Sequence, residues 1–367
     1  METKQVLHMN PGQSETSYAR NSTVQKTEQD RMKTMINEAI PGLCGVTSTS
    51  LPKSMAIADL GCSSGPNALT LISATIDAIY RHCAQHSQQL PEMCVYLNDL
   101  PDNDFNSVAK SLATLKHSHQ EQADPVVITA MIPGSFYERL FPCGSLHFVC
   151  SSNSLHWLSK APEDLKERRI PMYDMDEHLR QSRSMIVADA YARQFRKDFT
   201  QFLTLRAKEL VTGGCMVLSL FGRFSDNNIT KSNQAWKVVS VALSDMASRG
   251  IIDKEKLDSF YIPIYTPLEN EVNEIIEEEG SFKINKMLMR HPFHGIDDSL
   301  VSPKMIALAL RAVFESTIVL HFGPSEEIMD EFTRILERNF SSKSGWRAVL
   351  DAEYPVVLLS LSLTRVI

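Results

Sequence analysis

Positive charge is scarce in this chain. Its 37 Lys and Arg are outnumbered by 44 Asp and Glu, a formal net charge of -7. That balance gives no basic footprint for phosphate backbones, so nucleic acid is excluded as an expected partner. Long hydrophobic runs are missing as well. No uninterrupted apolar stretch approaches the length of about 20 residues that spans a bilayer, so no membrane association is expected. The opening residues lack the charged-then-apolar layout of a secretory leader and the Ser- and Arg-rich character of a transit peptide. The seven cysteines (44, 62, 83, 94, 143, 150, 215) are scattered, odd in number and never spaced C-x-x-C. They form no disulfide framework and no zinc motif, and read as reduced thiols in a cytoplasmic protein. Histidine adds no metal signature. His82 and His86 are four apart in a helical pattern, His117 and His119 lie in a polar loop, and His291 and His294 flank Pro292-Phe293. None has a third ligand at a recognisable spacing, so no metal is expected. What remains, 43% hydrophobic and 22% charged residues over 367 positions, is the composition of a globular protein with ample core. That length fits two average domains, or one α/β domain with a large insertion.

The most informative stretch present is Asp59-Leu60-Gly61-Cys62-Ser63-Ser64-Gly65-Pro66-Asn67. The apolar run before it, 55–58, reads as a short buried strand, and residues 68–79 after it have a helical period. Strand, glycine-containing turn and helix in that order build a ligand crevice at the carboxyl end of a parallel sheet. The spacing Gly61-x-x-x-Gly65 matches neither the dinucleotide fingerprint nor the P-loop, and Asp59 at the strand end would repel a pyrophosphate. The crevice therefore suits a cationic or neutral ligand rich in hydroxyl and amino groups. S-adenosylmethionine, a sulfonium with a charged amino group and no phosphate, fits that description. A rival reading uses the same residues. Gly61-Cys62-Ser63-Ser64-Gly65 also satisfies G-x-S-x-G, the nucleophile elbow of α/β-hydrolases, and His291, His294 and His321 follow in the order that fold requires. No His-Gly-Gly run supplies an oxyanion hole for it. A plain tight turn of small residues is the third reading.

Strand-like runs recur at 55–60, 94–98, 126–131, 146–151, 216–221 and 355–367. Helical patterns fill most intervals, notably 190–209, 235–248 and 303–321. Such alternation implies an α/β fold with a mostly parallel sheet covered on both faces. The strand-poor stretches, approximately 160–190 and 225–330, read as helical cap insertions, and Gly213-Gly214 as the turn into the fifth strand. The second run ends in Asn98-Asp99-Leu100-Pro101, which places a carboxylate where ribose hydroxyls are held in such sheets. Its separation from Gly61 exceeds the usual figure of about 20 residues, which the loop 84–92 absorbs. An Asx-type turn into Pro101 is the plainer alternative. Pro133-Gly134-Ser135-Phe136-Tyr137 follows the third run on the same ligand edge.

Together these segments resemble the SABATH family, plant enzymes that methylate carboxylates of small metabolites or ring nitrogens of xanthines. The resemblance is carried by Leu7-His8-Met9, by Ser17-Tyr18-Ala19-Arg20-Asn21-Ser22 with Gln25, and by Ala58 through Asn67. It continues in Asn98 through Asn106, Pro133 through Tyr137, and Ser151-Ser152-Asn153-Ser154-Leu155-His156-Trp157-Leu158-Ser159. Arg206-Ala207, Gly213-Gly214 and Ile262-Pro263-Ile264-Tyr265-Thr266-Pro267 complete it. The likeness is strongest to the salicylate, benzoate and jasmonate carboxyl methyltransferases. It implies one methyltransferase domain over 1–367, a Rossmann-like class I fold with a seven-stranded, mostly parallel sheet, and a helical cap over the active site. The implied methyl donor is S-adenosylmethionine, contacted by Tyr18, Ser22, Asp59, Asn67, Asp99, Leu100, Ser135, Phe136 and Ser151. Gln25 and Trp157 are implied to hold the acceptor carboxylate, in a pocket lined by Asn153, His156, Leu220, Trp236, Leu310, Val313 and Tyr354. A small carboxylic acid is the implied partner, with a homodimer as a further expectation. Two departures stand out. Asn153 replaces a common Tyr, and His156 a Met frequent in salicylate-preferring members. Relatives that bind magnesium have Asn after the residues matching Asp258 and Phe260, whereas Tyr261 follows here, and Arg169-Ile170-Pro171-Met172 lacks the other Asn. Those departures argue against magnesium.

These residue types suit esterification by a sulfonium. A carboxylate is already ionised at neutral pH, so no general base is required. Catalysis then rests on placing the attacking oxygen about 3 Å from the methyl carbon. A bidentate Arg would favour the anionic ground state over a transition state in which charge is being lost. The Gln25 amide and the Trp157 indole N–H are neutral donors that orient the carboxylate with less quenching. The expected acceptors are aromatic acids of the salicylate, benzoate or cinnamate type. Jasmonate, indole-acetate and xanthine-type N-methylation are the alternatives.

Overall fold

The computed structural model describes residues 8–46, 51–118, 126–224, 235–341 and 345–366. Leu7, His119, Ile367 and the 225–234 part of the expected cap lie outside the described residues. The first half runs α1 (Thr23–Val46), β1 (Ser54–Leu60), α2 (Thr70–Gln85), β2 (Glu92–Asp99), α3 (Phe105–Ser118), β3 (Val127–Pro133) and β4 (Leu146–Ser152). Then come α4 (Glu163–Glu167), α5 (Glu177–Glu209), β5 (Leu210–Arg223), α6 (Lys237–Ser248), α7 (Lys254–Asp258) and α8 (Glu269–Glu279). The chain closes with β6 (Phe282–Arg290), α9 (Pro303–Phe322), α10 (Glu326–Phe340), α11 (Trp346–Glu353) and β7 (Val356–Arg365).

The described strands form one seven-stranded sheet in the order β3-β2-β1-β4-β5-β7-β6. β1 pairs parallel with β2 and β4, β2 with β3, and β4 with β5, while β7 runs antiparallel between β5 and β6. Side-chain alternation divides the core in two. Met55, Ile57, Met93, Val95, Phe148, Cys150, Cys215 and Val217 pack against α1 and α2. Ala58, Leu60, Val149, Met216, Leu218, Leu220 and Leu359 join the cluster that contains α5, α6, α9 and α10. Strand order reverses between β1 and β4, and the loops leaving the carboxyl ends of β1 to β5 meet at that edge.

Two sequence-based expectations are corrected, and a third feature bears on the membrane reading. β6 falls inside the 225–330 stretch expected to be a helical cap; with Lys283, Asn285, Lys286 and Arg290 on an edge strand, it lacks the apolar run that marks a buried one. β5 begins at Leu210, so Gly213-Gly214 sits inside it. Leu146 pairs with Leu210 but Phe148 with Cys215, and the left-handed Gly213 (φ 81°) accommodates this bulge. Finally, α9 is long and apolar enough to cross a membrane by length and composition. Here Ile306, Ala307, Phe314 and Ile318 are buried in the protein core, and mid-helix Arg311 is buried against Glu315, Glu326 and Asp330.

Candidate active site

A cavity of about 1020 Å³ opens at the carboxyl edge of the sheet. The end of β1 forms one wall. Gly61 is left-handed (φ 77°), and a Cβ there would overlap the Ser154 side chain. Only glycine allows that turn to pass so close to the loop after β4. The Gly61 and Cys62 N–H groups both donate to the Asn98 carbonyl at 2.9 Å. The Asn98 side-chain amide donates to the carbonyls of Ile132 (2.7 Å) and Gly134 (2.8 Å), so this fully buried residue joins the ends of β1, β2 and β3. Asn98 was legible only as a strand end, because its role depends on strands that are distant in sequence.

Asp99 stands at the centre of this wall. Its carboxylate accepts from the Ser63 N–H at 2.6 Å and the Leu100 N–H at 2.8 Å. Burial pushes its pKa up to about 6, although those two backbone donors pull the other way. Ser63, itself left-handed (φ 55°), has a buried hydroxyl without a partner, and its carbonyl accepts from the Asn103 amide. Two histidines of the hydrolase alternative have their rings engaged elsewhere. His291 pairs with Asp351, and the His321 ring contacts the Lys256 carbonyl. No triad assembles on Ser63 among the described residues.

Tyr18, Asp99, Leu100, Ser135 and Phe136 all line the cavity, as do Gln25, Asn153, His156, Trp157, Leu310, Val313 and Tyr354. Ser22, Asp59, Asn67 and Ser151 lie behind its surface instead, because each is buried and engaged. The Asn67 amide donates to the Ser22 hydroxyl at 2.8 Å, fastening the N-terminal segment to the turn after β1. The Ser151 hydroxyl donates to the Leu60 carbonyl at 2.7 Å. Asp59 is 2% exposed, and burial raises its pKa to about 7 despite the Cys150 thiol beside it.

Two residues of the expected acceptor pocket, Leu220 and Trp236, do not line this cavity. Strand alternation sends Leu220 into the core, and the next residue, Phe221, reaches the cavity. Trp236 precedes α6 with its ring against Tyr191 and lines a separate cavity of about 180 Å³ with Tyr173 and Arg180. Its neighbours Ala235 and Val238 face the main cavity. α9 contributes more than Leu310 and Val313. Ile306, Ala309 and Phe314 lie on the same face, a signal that i±3 and i±4 spacing from those two positions carries.

Aromatic rings cluster around Trp157. The Trp157 ring lies 6.0 Å from His156 and 5.8 Å from Phe314, and Phe221 meets His156 edge-on at 5.0 Å. Burial drives the His156 pKa down to about 3, so its ring is neutral at working pH. The Phe221 N–H donates to its Nδ1, which leaves the proton on Nε2 and makes that atom a donor. Asn153 also has a left-handed backbone (φ 55°), which Asn tolerates better than most residues.

These pKa values give a testable pH dependence. A ligand that donates two hydroxyls to Asp99 requires the carboxylate. Its affinity should hold steady above about pH 6 and fall as the pH drops below that value, while His156 stays neutral throughout. Calorimetric titration of S-adenosylmethionine between about pH 5 and about pH 8 reads this directly. A flat profile contradicts the role given to Asp99.

Comparison with known proteins agrees with this architecture. Residues 4–366 match the family described as SAM dependent carboxyl methyltransferase. The chain is 40% identical to a probable jasmonic acid carboxyl methyltransferase 1 of Theobroma cacao over 92% of this chain and 94% of that one. It is 35% identical to anthranilate O-methyltransferase 3 of Zea mays over 95% and 97%. Among solved structures it is similar to loganic acid methyltransferase with SAH, with a TM-score of 0.81 and 30% identity over 97% of this chain and 98% of that one.

Proposed function

This chain belongs to the SAM-dependent carboxyl methyltransferases of the SABATH family, and from that premise we propose that its acceptors are small aromatic carboxylic acids. Salicylate and benzoate types come first, cinnamate types next and jasmonate after them. The observation that carries this reading is the connected cluster of rings, Trp157, His156, Phe221 and Phe314, that lines the cavity. Such faces hold a flat ring by stacked and edge contacts worth roughly 0.5–1.5 kcal/mol each beyond area burial. Jasmonate is the second reading, favoured by the identity to the Theobroma cacao relative.

The residues present fit the methyl donor. Asp99 supplies a charged acceptor for a ribose diol, and Tyr18, Leu100, Ser135 and Phe136 close the wall around it. When bound, S-adenosylmethionine supplies an electrophilic methyl group on a sulfonium. This chain's part is to hold the acceptor in line with it. In our reading the Gln25 amide and the Trp157 indole each donate one hydrogen bond to the carboxylate. Both are uncharged, so the oxygen keeps its nucleophilicity. His156, fixed as an Nε2 donor, would serve an oxygen substituent beside the carboxylate rather than act as a base.

A panel of acids under equal conditions tests the acceptor class. Salicylate and benzoate should give the highest kcat/KM, cinnamate less and jasmonate the least. Jasmonate leading the panel, or xanthines accepted while every aromatic acid is refused, overturns the proposal.

A further inference from the structure

We propose that Tyr137 is a positioning residue for the transfer: its hydroxyl fixes the Trp157 main chain and thereby aims the indole N–H at the acceptor carboxylate. The inference rests on the role given above to Trp157. Tyr137 is 6% exposed, and its hydroxyl donates to the Trp157 carbonyl at 2.7 Å. Burial raises its pKa well above the ordinary phenol value, so it remains a donor across the working range. A lever is useful only if its own base is held, and here it is. The Gln201 amide donates to the Tyr137 carbonyl at 2.6 Å. The fully buried Arg206 donates to the carbonyls on either side, Phe136 at 2.9 Å and Glu138 at 3.0 Å. Arg206 is paired in turn with buried Glu209 at 2.7 Å, whose other oxygen accepts from the N–H groups of Leu140 and Phe141.

The end of α5 therefore clamps the loop after β3 at five backbone groups. From that clamped loop a single phenol reaches across to Trp157. The remaining ties on Trp157 are its N–H to the Ser154 carbonyl and an antiparallel bridge with Ile264. The first holds the local turn and the second ties it to the segment around Ile264, whereas the phenol ties it to the loop that carries Ser135 and Phe136 on the donor side. That hydrogen bond, together with the one from the Ser154 hydroxyl to the Gly61 carbonyl, links the walls for the two substrates.

The test is a double-mutant cycle on the full-length protein with a benzoate-type acid. Tyr137→Phe should lower kcat about fivefold, the effect of one hydrogen bond, with little change in acceptor KM or in the Kd for S-adenosylmethionine. In a Trp157→Phe background the same substitution should cost nothing further, because the donor it aims is gone. Gln201→Leu, at an exposed position, should move kcat in the same direction by a smaller factor, and it keeps the test open should Tyr137→Phe fold poorly. Full additivity of Tyr137→Phe and Trp157→Phe overturns the positioning role alone. If Trp157→Phe itself leaves kcat unchanged, the reading of the carboxylate site fails and the inference falls with it.

Discussion

An Asp99→Ala protein should fold and yet bind S-adenosylmethionine about ten- to a hundredfold more weakly. The lost contact is a hydrogen bond to a charged acceptor, worth roughly 1.5–3 kcal/mol, and each 1.4 kcal/mol is about tenfold in affinity. The substitution also removes the acceptor of the Ser63 and Leu100 N–H groups, so part of the loss arises from a looser crevice. Asp99→Asn separates the two contributions: its amide oxygen retains one backbone bond while the charge is gone. A thermal melt confirms folding and calorimetry reads the affinity. Unchanged donor affinity in a folded Asp99→Ala protein would refute the crevice assignment.

Trp157→Phe should leave the ring contacts with His156 and Phe314 largely in place and remove only the indole N–H. Turnover should then fall about tenfold or more, while acceptor KM changes less. A donor that aligns the attacking oxygen acts mainly in the transition state, and its loss appears in kcat. Stopped-time assays of ester formation at saturating donor give both constants. A rise in KM with kcat intact would mean that the indole merely binds the acid.

The turns that build the crevice were legible in the sequence, whereas which neighbouring side chain reaches the cavity was not, for a physical reason. The donor crevice is assembled from strand ends and tight turns, where Gly61, Asp99 and Pro133 through Phe136 leave marks of residue type and short spacing. The acceptor wall is assembled from side chains whose direction depends on alternation and helical phase. One step of phase moved the contact from Leu220 to Phe221, and a helix start sent Trp236 away from the cavity while Ala235 and Val238 faced it. The same limit hid β6, whose polar edge sequence gives a weak strand signal. Asn98 and Tyr137 were visible only as parts of motifs, since their hydrogen bonds to Ile132, Gly134 and Trp157 cross between separate elements.

The central claim, that the aromatic acid's carboxylate is the methyl acceptor, is tested most directly by the fate of the transferred label. The protein is incubated with methyl-labelled S-adenosylmethionine and salicylate, and the product is treated with mild base. A methyl ester releases its label as methanol and regenerates salicylate, the outcome expected here. Label that survives base, on a phenolic oxygen or a ring nitrogen, or no label on any aromatic acid offered, would contradict it.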